Sequence, residues 1–216
     1  MIRTIAGLFG VPVTVAVTDP REDRVPFCAS ETLPRAVAKR QKEFAAGRAA
    51  ARRAMGRDLP IPQGADRAPV WPEGWRGSIA HADDLCIAVM TRADACIGCD
   101  VERHDAVHED LAATICAERE MQDLPRGDLR RAATLIFCAK EAAFKAQYPL
   151  SGALLGFDAF EVTADSAGGT FVARFTRDVS PFAAGHALSG RFLALSEHLV
   201  TGVTIGLDDG GPRRAT

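Results

Sequence analysis

The chain runs twice through one order of patterns, a helical stretch followed by short strand-like runs separated by turn residues. In the first round, Leu33, Val37, Phe44, Ala51 and Met55 fall within a narrow arc at about 100° per residue, which predicts a helix over 33–55. Strand-like runs follow at 77–82, 85–91 and 95–102. Asp83-Asp84 and Arg92-Ala93-Asp94 supply turn chemistry between them, so an antiparallel meander is expected. In the second round, helical patterns at 109–123 and 128–148 precede alternating runs at 157–162, 170–175, 190–196 and 199–205, with Glu197-His198 as a hairpin turn. Pro149, which cannot continue the hydrogen-bond ladder, is expected to end the helix before it. The order predicts an α+β fold of two halves, residues 1–103 and 104–216, each with a small, mainly antiparallel sheet and packed helices.

A length of 216 residues with 47% hydrophobic content can bury one substantial core or two small cores packed face to face. The formal net charge of −2 excludes recognition by bulk charge, as in a general nucleic-acid binder, so any charge-driven recognition is local. Residues 5–17 are apolar but lack a signal peptide's cleavage pattern, and the alternation of Val13, Val15 and Val17 with Thr14, Ala16 and Thr18 reads as a half-buried strand. No run is long enough to cross a bilayer. Six cysteines include a single CxxC pair, Cys96 and Cys99, with no second pair or histidine cluster, so most are expected to be small buried residues in a reducing compartment. A cytoplasmic monomer without nucleic-acid or membrane partners is the expectation. Residues 59–77, rich in Pro and Gly and holding Trp71 and Trp75, read as an ordered surface loop.

Asp100 and Glu102 close an apolar strand, and their i, i+2 spacing puts both carboxylates on one face. Adjacent acids suit a cation, although two solvated acids at a strand end fit the same pattern. Glu141 and Lys145, with Lys140 beside them, share a helix whose other positions are largely apolar, Phe137, Ala139, Ala142, Ala143 and Phe144. Glu followed by Lys at i+4 is also an ordinary helix pair, worth roughly 0.2–0.5 kcal/mol. Arg48 lies near the middle of the apolar arc of the first helix, flanked by Arg40 and Arg52. A buried guanidinium requires an anion, either a phosphate or a carboxylate of the same chain. Arg35, Lys39, Lys42, Arg53 and Arg57 take the opposite face, as a solvated surface or a docking patch. His81, at a strand end, fits a structural or a ligand-binding role.

Three segments together carry a resemblance: KRQKEFAAGRAAARRAM at 39–55, APVWPEGWRGSIAHADD at 68–84, and IGCDVE at 97–102 followed by FCAKEAAFKAQYPL at 137–150. In order and spacing they resemble the siderophore-synthase (EntD-like) branch of the 4'-phosphopantetheinyl transferase family. The resemblance implies two similar subdomains related by a pseudo-twofold, with coenzyme A in the cleft between them. It implies Asp100, Glu102 and Glu141 as ligands of Mg2+, Lys145 on the pyrophosphate, and Lys140 as a further phosphate or structural contact, with Glu141, directly or through a metal-bound water, as the candidate proton acceptor. Arg40, Arg48 and His81 would hold the adenosine 3'-phosphate side, with 71–77 near the nucleotide. The chain departs from the family in having Ala80 where Ser or Thr usually precedes the histidine. The implied reaction moves phosphopantetheine from coenzyme A to a serine of an acyl or peptidyl carrier protein. A metal-dependent phosphohydrolase would use the same carboxylates on water, and a non-catalytic coenzyme A or carrier-binding module would need only the binding groups.

Overall fold

The computed structural model describes residues 1–123 and 128–207. In chain order the elements are α1 (Ile2–Ala6), β1 (Thr14–Thr18), a 3-10 turn (Ala29–Glu31), α2 (Ala38–Met55), β2 (Arg76–His81), β3 (Cys86–Thr91) and β4 (Ala95–Arg103). Then come α3 (Glu109–Ile115), α4 (Glu118–Asp123), α5 (Leu129–Ser151), a second 3-10 turn (Phe157–Ala159), β5 (Phe160–Asp165), β6 (Thr170–Phe175), β7 (Ala187–Ala194) and β8 (His198–Gly206). Two antiparallel sheets result, of three strands in the order β1-β3-β2 and of five in the order β4-β8-β7-β6-β5, so the fold is α+β as expected.

The expected meander is corrected. β2 and β3 form a hairpin, closed by the Ala82 N–H on the Leu85 carbonyl at 2.8 Å. β1 occupies the other edge of β3, leaving no ladder position there for β4. β4 instead pairs along its length with β8, Cys99 opposite Gly202. Sheet membership therefore divides the chain between β3 and β4, and residues 95–103, read from sequence as the end of the first half, lie in the second sheet.

α2 begins at Ala38, after the Pro34 segment, rather than at Leu33, and ends at Gly56, whose left-handed φ of 63° suits glycine. Its small-residue face, Ala50, Ala51 and Ala54, packs with Ala16 and Ala88 of β1 and β3. The helical pattern at 109–123 is split in two because the Glu120 carboxylate reaches back 2.5 Å to the Ala117 N–H, a capping contact that starts α4 afresh. α5 starts on the Asp128 side chain and does not stop at Pro149, which sits inside its last turn. The stop comes at Gly152, φ 65°. A proline so close to the end forfeits one ladder bond without breaking the helix.

α5 lies across β4 with almost no gap. A Cβ on Gly98 would stand 1.9 Å from the Ala142 carbonyl oxygen and 2.6 Å from the Ala146 nitrogen, so backbone rests on backbone there. This contact brings one turn of α5 against the end of β4.

Candidate active site

A cavity of about 710 Å³ opens between α2 and β2 on one side and β4 and α5 on the other. Arg40, Arg48 and His81 line it, and so do Asp100, Glu102, Glu141 and Lys145. Seven of the eight residues singled out from sequence thus face one space.

At the α2 end, Arg48 is buried and its guanidinium lies 3.7 Å over the Phe44 ring. Its Nε donates to the Ile61 carbonyl at 3.2 Å, while its Nη2 is buried without a hydrogen-bond partner. Burial pushes this guanidinium down to about 10, with Glu31 opposing the shift. Arg52, one turn on, takes the other course open to an arginine on an apolar face: its Nη1 donates to both oxygens of the buried Glu31 at 2.6 and 2.7 Å. A carboxylate of the chain therefore satisfies Arg52 and leaves part of Arg48 unsatisfied. Arg40 donates through Nη1 to His81 Nε2 at 2.9 Å and to Glu43 at 3.3 Å. Because arginine can only donate, His81 accepts there as a neutral imidazole. Burial holds His81 below its ordinary value, with Glu43 pulling the other way and Arg40 adding to the depression.

At the other end, Lys145 Nζ donates to Asp100 Oδ1 at 2.7 Å and to the Cys99 carbonyl at 3.2 Å. Asp100 is buried, and its Oδ2 has no partner. Burial, reinforced by Asp100 and Glu141 and opposed by Lys145, pushes the Glu102 carboxyl up to about 8. Glu141 is raised as well, by burial first, against the pull of Lys145. Burial alone would lower the Lys145 ammonium, but Asp100 and Glu141 outweigh it and the pKa rises. Three carboxylates face one ammonium here, and two of them resist ionising.

Among the described residues, no three His, Cys, Asp or Glu side chains are drawn together closely enough to hold a metal as they stand. Asp100 is turned onto Lys145. The donor set nevertheless fits a hard divalent cation: three carboxylates on one cavity, one of them with a buried oxygen free of any hydrogen bond. A bound cation would oppose the burial penalty that raises Glu102 and Glu141.

Lys140 stands apart from the cavity, and of the two contacts expected of it, to a phosphate or to the structure, its surroundings are those of the second. It is buried on the far side of α5, where Nζ donates to Glu120 at 2.7 Å and to the Ile115 and Phe157 carbonyls at 2.8 and 3.0 Å. All three ammonium protons are spent on the fold. Ala80 is packed in an apolar cluster with Ile87, Val89 and Val101, so the missing hydroxyl is not replaced by another polar group. Cys96 and Cys99 are buried free thiols, and burial pushes Cys99 up to about 12, far from reactive thiolate. Residues that sequence reasoning missed are Glu43, Asp66, Arg67 and Tyr148. Tyr148 donates to Asp66 at 3.0 Å, tying the end of α5 to the 59–77 loop. The α-helical spacing of 137, 141, 144, 145 and 148 was the available signal for Tyr148.

The model of the 4'-phosphopantetheinyl transferase N-terminal domain matches residues 29–91, and that of the 4'-phosphopantetheinyl transferase superfamily matches 96–201. The chain belongs to the 4'-phosphopantetheinyl transferase superfamily. It is an enzyme of that class, and the junction between the two matches falls where the strand pairing divides the sheets. Among similar 4'-phosphopantetheinyl transferases, Svp of Streptomyces mobaraensis is 35% identical over 88% of this chain and 83% of its own. PptT of Mycobacterium tuberculosis is 37% identical over 73% of this chain and 72% of its own. Enterobactin synthase component D of Salmonella typhi is 36% identical over a shorter region, 58% of this chain and 55% of its own.

Proposed function

We propose that this phosphopantetheinyl transferase takes the 4'-phosphopantetheine group from coenzyme A and places it on a serine hydroxyl of an apo acyl or peptidyl carrier protein. Adenosine 3',5'-bisphosphate is the leaving group. The observation that carries this reading is the polarity of this cavity: the unpartnered Nη2 of Arg48 beside Arg40 at the α2 end and a carboxylate-rich cluster with one lysine at the β4–α5 end. A long ligand with a terminal phosphate and a separate pyrophosphate matches both ends at once.

Arg48 Nη2, Arg40 and His81 would bind the 3'-phosphate, with the planar guanidinium fork reading its oxygens. Lys145 would lie against the pyrophosphate and offset charge gained by the departing bisphosphate. Asp100, Glu102 and Glu141 would hold Mg2+, which when bound neutralises pyrophosphate charge. Glu141, raised above an ordinary carboxylate by burial, suits the part of accepting the serine proton as the hydroxyl oxygen attacks the β-phosphorus. Phosphoryl transfer asks mainly for positioning and charge neutralisation, which two rigid elements in backbone contact can supply. The test is mass spectrometry of candidate apo carriers incubated with the enzyme, coenzyme A and magnesium. A phosphopantetheine-sized gain on the serine supports the reading, and coenzyme A cleavage that leaves every carrier unmodified would point to a hydrolase.

A further inference from the structure

The two sheets meet along β2 and β4, and among the described residues no backbone ladder joins these strands. Cys99 presents its amide and carbonyl away from β8, toward β2. On a sheet edge these groups would be left to water, but here they are buried, so each requires a partner. One side chain on β2 supplies it. The hydroxyl of Ser78, itself buried, accepts from the Cys99 N–H at 2.9 Å and lies 3.4 Å from the Cys99 carbonyl oxygen, to which it donates. The same carbonyl accepts from Lys145 at 3.2 Å, and Lys145 also grips Asp100, the next residue along β4.

Ser78 is therefore one bond removed from both members of the Asp100–Lys145 pair. Its hydroxyl donates to the carbonyl of the peptide that leads into Asp100, and it shares that acceptor with the ammonium. The neighbouring residues leave it little freedom. A Cβ on Gly77 would meet the Met90 side chain and the Val89 carbonyl at 2.8 Å or less, so β2 is seated tightly on β3 beside this point.

We infer that Ser78 is a positioning residue: it stitches the first sheet to the peptide of Cys99 and so fixes the direction in which Asp100 and Lys145 enter the cavity. The inference rests on the proposed roles of Asp100 and Lys145. It goes beyond them in assigning that geometry to a hydroxyl on the opposite sheet. Ser78 touches no reacting atom and acts through the Cys99 peptide.

The test compares Ser78→Ala with Ser78→Cys, a near-isosteric variant with a much weaker donor and acceptor, and with Asp100→Ala as a control. Three readouts are taken: amide hydrogen exchange at Cys99 without magnesium, calorimetric magnesium affinity with coenzyme A present, and kinetics with coenzyme A and with its dephospho form. Ser78→Ala is expected to accelerate Cys99 exchange and weaken magnesium binding roughly 10- to 100-fold, as for partners that orient metal ligands, with a matching fall in kcat. Preference for coenzyme A over the dephospho form, set at the α2 end, should stay as in wild type. Ser78→Cys should fall between the two, and it carries the test if the alanine variant does not fold. Wild-type magnesium affinity and kcat in a variant whose only change is a lower Tm would overturn the inference. Near-normal turnover in Asp100→Ala would instead sink the proposed site. Cys99 exchange would then still decide whether Ser78 holds the strand.

Discussion

Arg48 shows how a single side chain can be left unfinished by its own fold. Its Nε is satisfied and its ring contact with Phe44 is made, but Nη2 has no acceptor in a setting that already lowers the guanidinium to about 10. Arg48→Ala is expected to raise KM for coenzyme A by the equivalent of about 1.5–3 kcal/mol, the range for a charge-assisted hydrogen bond. It should also lose most of the preference for coenzyme A over dephospho-coenzyme A. Steady-state kinetics on both ligands separates this from a packing defect, which would penalise both alike. Glu102 makes a second prediction, for protein kept in chelator. Its folded value of about 8 stands above the ordinary 4.5, so between these pH values the folded state retains a proton that the unfolded state has released. The part of the stability linked to Glu102 is then full below about pH 4.5 and declines as pH rises toward 8. Glu102→Gln should flatten that decline in thermal melts. A slope unchanged by the substitution would place the titration elsewhere.

At the scale of elements, the contrast between Lys140 and Lys145 decides what a helix lysine does. The two sit five residues apart on α5, and one is locked to Glu120 in the core while the other enters the cavity. Lys140→Met leaves a buried carboxylate whose remaining partners are the Ala117 and Val162 amides. It should lower unfolding free energy by about 3–5 kcal/mol, with little change in KM for coenzyme A. Denaturant unfolding of the single variant and of Lys140→Met with Glu120→Gln checks this, and the pair should recover part of the loss. Much at this scale was legible in the sequence: α2, the hairpin of β2 and β3, the carboxylates at the end of β4, and the apolar face of α5. What was not legible depended on partners distant in the chain. The pattern of β4 marks it as a strand, but only the filled edges of β3 send it to β8. Lys140 and Lys145 look equivalent until Glu120, on a helix the periodicity had fused with its neighbour, claims one of them. Pro149 looks like a stop because the alternative terminator, Gly152, is three residues further on.

For the molecule as a whole, the strand pairing predicts where the chain can be parted. A cut after Arg103 would strip β4 from β8 and leave the second sheet with a bare edge, whereas a cut at 92–94 keeps both ladders whole. Co-expressed fragments divided at 92–94 should reassemble into active enzyme more completely than fragments divided at 103–104, measured by co-purification and carrier modification. The better recovery at the later cut would contradict the sheet assignment. Gly98 adds a constraint of another kind. At this point the distance between β4 and α5 is set by peptide groups alone, Ala142 and Ala146 standing directly over a residue with no side chain. Each of those alanines is the immediate neighbour of a site residue, Glu141 and Lys145. The gap across this end of the cavity is thus gauged by the thickness of the main chain, the least adjustable dimension a protein has, so even one added methyl at Gly98 would act as a shim. Glu141 and Lys145 would be lifted together away from Asp100 and Glu102, their own chemistry untouched.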